Sequence, residues 1–246
     1  MWFSSWLGKR QRSAPSGRSH ASPHKRSSYR PRLEALEDRW LPSQVSLTVS
    51  SLADSGPGTL RAAILTADGG SHSDQFTIGF AVNGKVDLQS PLPDLNNSIA
   101  IQGPGASSLT IEPAAGVSLS SAIVAVDAGQ TASLSGLTVA NGNAGGIHSV
   151  GTLTVANCAV VNNSVASNDG NVFFGEGGGI DNLYGTLTVS DSTISGNTAN
   201  GVLGTGGGIY NAGTAAALTV SNSTFSGNTP DNIVGPYTDG GGNTFK

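Results

Sequence analysis

The stretch GTLTVSDSTISGN (Gly185–Asn197) decides the fold, because it recurs. GTLTVANCAVVNN (Gly151–Asn163) precedes it and ALTVSNSTFSGN (Ala217–Asn228) follows it. Leu153, Leu187 and Leu218 stand 34 and 31 residues apart. A looser copy, LSGLTVAN (Leu134–Asn141), leads to Gly145-Gly146-Ile147, and the two clear copies after it lead to Gly177–Ile180 and Gly206–Ile209. Within each copy Leu-Thr-Val alternates apolar, polar, apolar, the pattern of a strand with one buried face. Thr and Val are β-branched and suit a pleated surface, whereas the Gly, Ser and Asn between them weigh against a helix. A period near thirty residues is too short for a four-stranded propeller blade. It fits one coil of a parallel β-solenoid.

Stacking such coils turns the repeats into columns. Leu153, Leu187 and Leu218, with Val155, Val189 and Val220, are expected to form inward ladders about 4.8 Å apart. Val160, Ile194 and Phe225 form a second ladder. Asn163, Asn197 and Asn228 recur at the corner that follows, where stacked amides can hydrogen-bond from coil to coil. Cys158 falls in the column of Ser192 and Ser223 and reads as a small interior residue. Upstream, Leu60, Ala63, Ile64 and Ala67 share one face of a short helix starting near Thr59. A cap over about 52–68 would cover the apolar interior that an open solenoid end exposes. Strand candidates follow at 76–80, 86–88, 99–101, 109–111, 123–126 and 133–139, and the clear repeats span 134–229. The whole makes about six to eight coils. The tail after Asn228, rich in Pro and Gly, is expected to break the repeat.

Composition agrees. The 246 residues include 35 Gly and only 11% charged residues, against roughly 25% in ordinary soluble domains. The one cysteine excludes an internal disulfide and an all-cysteine metal site. No apolar run reaches the ~18 residues of a membrane-spanning helix. The net charge of −4 conceals a division. Residues 1–43 hold nine basic and three acidic residues (+6), and residues 44–246 hold three basic and thirteen acidic ones (−10). Two segments follow: a basic arm at 1–43, expected to be disordered and carrying a short helix at 33–41, and an all-β domain at 44–246. The acidic domain argues against a nucleic-acid partner, which the arm alone would suit.

The Gly-Gly-Gly-Ile and Ser-Gly-Asn pieces resemble the short repeats of chlamydial polymorphic outer-membrane proteins. LADSGPGTLRAAI (Leu52–Ile64) and IAIQGPGASSLTI (Ile99–Ile111) resemble the opening coils of bacterial right-handed parallel β-helix surface proteins of the pectin lyase-like fold. This resemblance covers about residues 45–242. PRLEALEDRWLPS (Pro31–Ser43) resembles an N-terminal segment shared by many secreted or surface-associated planctomycete proteins. The resemblance implies a right-handed parallel β-helix, an extracellular or cell-surface location, and export or sorting machinery as the partner of residues 1–43.

Chemistry is thinly signalled. Polysaccharide hydrolysis needs paired carboxylates, and Glu176, Asp181 and Asp191 are the available cluster. Asp in Gly/Asn/Ser-rich turns is also ordinary turn chemistry, and the third copy has Asn222 where Asp191 stands. A lyase would need a basic residue, often with calcium, but Arg61, Lys85 and Lys246 all lie outside the well-formed repeats. Arg61 reads as part of the cap. His148 reads as an exposed turn histidine. The glycine runs do not end in a phosphate-loop Lys-Ser/Thr. No cofactor and no dedicated metal site is expected, with calcium at acidic loops left open. The leading expectation is a non-catalytic, adhesin-like binding module for a polysaccharide or cell-surface protein. Phe173, Phe174 and Glu176, in the longest insertion, are its candidate contact patch. A carbohydrate-active enzyme and a structural envelope component are the alternatives.

Overall fold

A computed structural model describes residues 43–166, 176–200, 204–212 and 216–246. The arm and its helix at 33–41, and the pair Phe173 and Phe174, lie outside the described residues.

The domain is a right-handed parallel β-helix. Each full coil contributes one strand to each of three sheets, and all the strand pairs are parallel. The first sheet stacks eight strands in the order Gln44–Val49, Gln75–Phe80, Ile99–Gln102, Thr131–Ser135, Thr152–Ala156, Thr186–Ser190, Ala217–Ser221 and Thr238–Asp239. The second stacks seven, from Gly84–Leu88 through Leu109–Pro113, Thr138–Ala140, Ala159–Val161, Thr193–Ser195 and Thr224–Ser226 to Thr244–Phe245. The third stacks Val124–Val126, Ile147–Ser149, Ile180–Asn182, Ile209–Asn211 and Ile233–Val234. A two-stranded ribbon, Ser164–Ala166 against Thr198–Asn200, stands at the corner between the second and third sheets.

The expected columns form in register. Leu153 faces Leu187, which faces Leu218, and Val155, Val189 and Val220 run beside them. In the second sheet one unbroken ladder runs Val86, Ile111, Val139, Val160, Ile194, Phe225, Phe245. Its last two rings stack with centroids 5.1 Å apart. Val124, Ile147, Ile180, Ile209 and Ile233 line the inside of the third sheet. Each fully buried apolar side chain contributes roughly 1.5–3 kcal/mol.

Polar columns set the corners. Asn163 donates from Nδ2 to Asn197 Oδ1 at 3.0 Å, and Asn197 does the same to Asn228 at 3.0 Å. Each of these amides also donates to a backbone carbonyl of the coil before. The backbone N–H of Cys158 donates to Ser192 Oγ, and that of Ser192 to Ser223 Oγ. This is the expected small-residue column. Burial pushes the Cys158 thiol above its ordinary pKa, which keeps it protonated and unreactive.

At the N-terminal end, helix α1 (Leu60–Asp68) is capped by the Thr59 hydroxyl, which accepts from the Ala62 N–H at 3.2 Å. It buries Leu60, Ala63, Ile64 and Ala67, the face read from the sequence. Arg61 is fastened to the Asp54 carboxylate and to the carbonyls of Ser90 and Pro91, which makes it part of the cap.

Two expectations need correction. Residues 133–139 are not one strand: Gly136, at φ +62°, turns the chain from the first sheet to the second. The tail does not break the repeat either. Its short strands Ile233–Val234, Thr238–Asp239 and Thr244–Phe245 add a last rung to each sheet. Backbone pairing there needs no repeat motif.

Replacing Asn197 by Ala leaves buried donors and acceptors on both neighbouring coils unpaired. At about 1–3 kcal/mol per orphaned group, the loss in denaturant unfolding is expected to reach about 2–4 kcal/mol. Phe225→Ala is expected to cost about 3–5 kcal/mol in the same measurement.

Candidate functional site

The outward face of the third sheet carries the chemistry. Side chains alternate along a strand, so the residue between Ile147 and Ser149 points out, as do its equivalents on the neighbouring coils. The resulting column runs Ala125, His148, Asp181, Tyr210, Val234. A bridge between Leu95 and Val126 extends it to Asp94. Ala125, together with Ala122 and Ala144, leaves a hollow in this face. The result is a groove of ≈ 520 Å³, lined among others by Asp94, His148, Val165, Glu176, Asp181 and Tyr184.

Local backbone constraints place these groups. Gly177, at φ +66°, turns the chain back so sharply that a Cβ there would lie 2.6 Å from the Asp181 Cα. That turn brings Glu176 to the Asp181 rung. Tyr184 also has a positive φ, +65°, and holds its ring 67% exposed at the groove. Val165, on the two-stranded ribbon, also lines the groove.

The groups are coupled. His148 Nδ1 and Asp181 Oδ2 are 2.9 Å apart, with the side chains 38% and 19% exposed. Among the described residues, Asp181 Oδ1 is buried without a hydrogen-bond partner. The hydrogen bond to Asp181 raises the His148 pKa; partial burial opposes this, and the charges of Asp181 and Asp94 reinforce it. Glu176 is also raised, chiefly by partial burial and then by the Asp181 charge, against a lowering hydrogen bond from Tyr210. Burial and the Glu176 charge raise Tyr210 in turn. A His–Asp pair beside a carboxylate with raised affinity for protons can exchange protons with a ligand and can hold donor groups in the groove.

Of the residues read from the sequence, Glu176 and Asp181 come together here. Asp191 does not. It is exposed at the corner between the first and second sheets, at φ +49°, in the column of Gly136, Asn157 and Asn222. Asn and Asp tolerate this left-handed conformation better than most residues, and the corner accounts for Asp191. His148 is a strand residue with an acidic partner, which corrects its reading as an exposed turn histidine. The pairing was not read from the sequence, because Asp181 lies 33 residues from His148 in the chain. The available signal was positional: His148, Asp181 and Tyr210 each follow the isoleucine that ends a glycine run.

A second buried polar column was also not read from the sequence. Ser149, Asn182 and Asn211 point inward one residue beyond the outward column, and Asn182 Nδ2 donates to Asn211 Oδ1 at 2.6 Å. A shallower concavity of ≈ 300 Å³ over the first sheet is lined by residues such as Thr77, Ser133 and Thr154, with no titratable group.

Among the described residues no group of three His, Cys, Asp or Glu converges to hold a metal ion. No described helix is long and apolar enough to cross a membrane. No protein-family model matches the chain, and no curated protein matches its sequence.

The raised His148 pKa makes the pairing with Asp181 testable. The stabilisation it contributes is complete below the unfolded histidine value, about 6.5, and is lost as pH rises through the higher folded value. NMR titration of His148 is expected to show the raised value. In Asp181→Asn it should fall, and the pH dependence of the melting temperature above about pH 6.5 should shrink with it.

Proposed function

We propose that the chain is a surface-displayed or extracellular β-helix module that binds a glycan in the groove of its third sheet. The groove carries this reading: it joins an exposed aromatic ring, Tyr184, to hydrogen-bonding groups on consecutive coils. An aromatic face packs on the apolar side of a sugar ring while carboxylates accept from its hydroxyls. Consecutive coils repeat about every 4.8 Å, so an extended polymer lying along the solenoid axis meets several rungs. The resemblance to polymorphic outer-membrane-protein repeats and to planctomycete surface proteins supports the surface location, with residues 1–43 as the targeting segment. An adhesin-like role follows from both.

A second reading is favoured by one observation. Glu176, its carboxyl raised beside the Asp181 carboxylate, has the asymmetry of a general acid paired with a base or nucleophile. In that reading the module cleaves the glycan it holds.

Retention on immobilised polysaccharides tests the binding reading, and mass spectrometry of the soluble fraction tests cleavage. The full chain is expected to be retained by at least one polysaccharide, and Tyr184→Ala to weaken retention about tenfold with an unchanged melting temperature. Retention indifferent to Tyr184 would place the binding surface elsewhere. Shortened oligosaccharides that disappear in Glu176→Gln would establish the hydrolytic reading.

A further inference from the structure

The groove has a charge that selects among glycans. Asp94, Glu176 and Asp181 are its acidic lining residues, and no Lys or Arg is among the described residues that line it. The Arg and Lys residues of the described domain lie elsewhere. Arg61 is bound to Asp54 at 2.6 Å, Lys85 to Glu112 at 2.5 Å, and Lys246 ends the last rung of the second sheet. Among the described lining residues His148 is the one titratable cation, and Asp181 Oδ2 already holds it.

Two further features favour an incoming donor. The Asp181 side chain is 19% exposed at the groove, and its Oδ1 accepts no hydrogen bond among the described residues, which leaves the carboxylate spare acceptor capacity. Tyr184 presents an exposed ring at the same groove, and a ring face attracts a cation. A uronate polymer would bring like charge against three carboxylates, which penalises binding.

The geometry points to a glycan bearing free primary amines, its ammonium group held between Glu176 and Asp181 with Tyr184 against the sugar ring. This inference rests on the glycan-binding reading and names its ligand class. Partial burial strengthens such charge-assisted hydrogen bonds relative to those on an open surface. The neutral acetamido counterpart offers no charge, and its added acetyl group must fit beside the same carboxylates.

Calorimetric titration of the full chain with short β-1,4-linked oligomers of glucosamine, N-acetylglucosamine and galacturonate tests it. The glucosamine oligomer is expected to bind at least about tenfold tighter than its N-acetylated form, with affinity falling as salt is added. The galacturonate oligomer is expected not to bind. Glu176→Gln should weaken binding of the glucosamine oligomer by a larger factor than binding of the N-acetylated one, and its melting curve reports whether the fold survives. Equal or tighter binding of the N-acetylated or galacturonate oligomer overturns the amine assignment and leaves a glycan-binding groove. A Glu176→Gln effect equal on charged and neutral oligomers also overturns it. If none of the oligomers binds, the amine assignment falls. Whether the binding reading falls with it is decided by the retention experiment on immobilised polysaccharides.

Discussion

Every coil depends on its corners being hydrogen-bonded to the coil beneath. A solenoid turns sharply at each sheet boundary, and each turn leaves backbone groups in the interior without strand partners. Buried unpaired groups are costly, so the corners must supply bonds of their own. The amides of Asn163, Asn197 and Asn228 do this at one corner, accepting from a neighbouring N–H and donating to a carbonyl. Ser192 and Ser223 do it at another. Asn182 and Asn211 donate to carbonyls where the third sheet ends, and Asn182 also donates to the Asn211 amide. These ladders work only when identical residues superpose, which forces the register and allows each apolar side chain to rest on a similar one below.

The same constraint explains where variation is permitted. Inward positions stay apolar or small from coil to coil because each rests on its equivalent in the interior. Outward positions are free of that requirement, and on the third sheet they hold Ala125, His148, Asp181 and Tyr210 on successive rungs. The scaffold thus brings residues some thirty positions apart in the chain to within a strand spacing. A small residue at Ala125 makes the hollow, and larger polar ones beside it furnish the groups. The tight turn at Gly177 folds Glu176 into the same place.

Much of this was legible in the sequence, and for a definite reason. In a solenoid the neighbours of a residue are its equivalents one period away, so an alignment of the chain with itself is a contact map. Leu153, Leu187 and Leu218, the Val columns, the asparagine corner and the place of Cys158 all follow from that alignment. The capping helix was legible from its own periodicity. The tail's last rung was not, because strand pairing through the backbone leaves no motif in residues such as Ile233–Val234. Residues 133–139 were misread because one glycine, Gly136, distinguishes a corner from continuous strand.

The sequence by itself therefore determined the fold class, the period, the inward columns and the division between a basic arm and an acidic domain. These are properties of residue type and spacing, and spacing is conserved when a chain winds regularly. The tertiary structure alone decided which of the acidic residues meet. Glu176 and Asp181 share a groove with His148 and Asp94, while Asp191 stands on a corner away from that groove, although it is only ten residues from Asp181 in the chain. The reason is directional: a side chain's face and sheet depend on where each turn falls, and one residue of difference in a turn moves a carboxylate to another side of the solenoid.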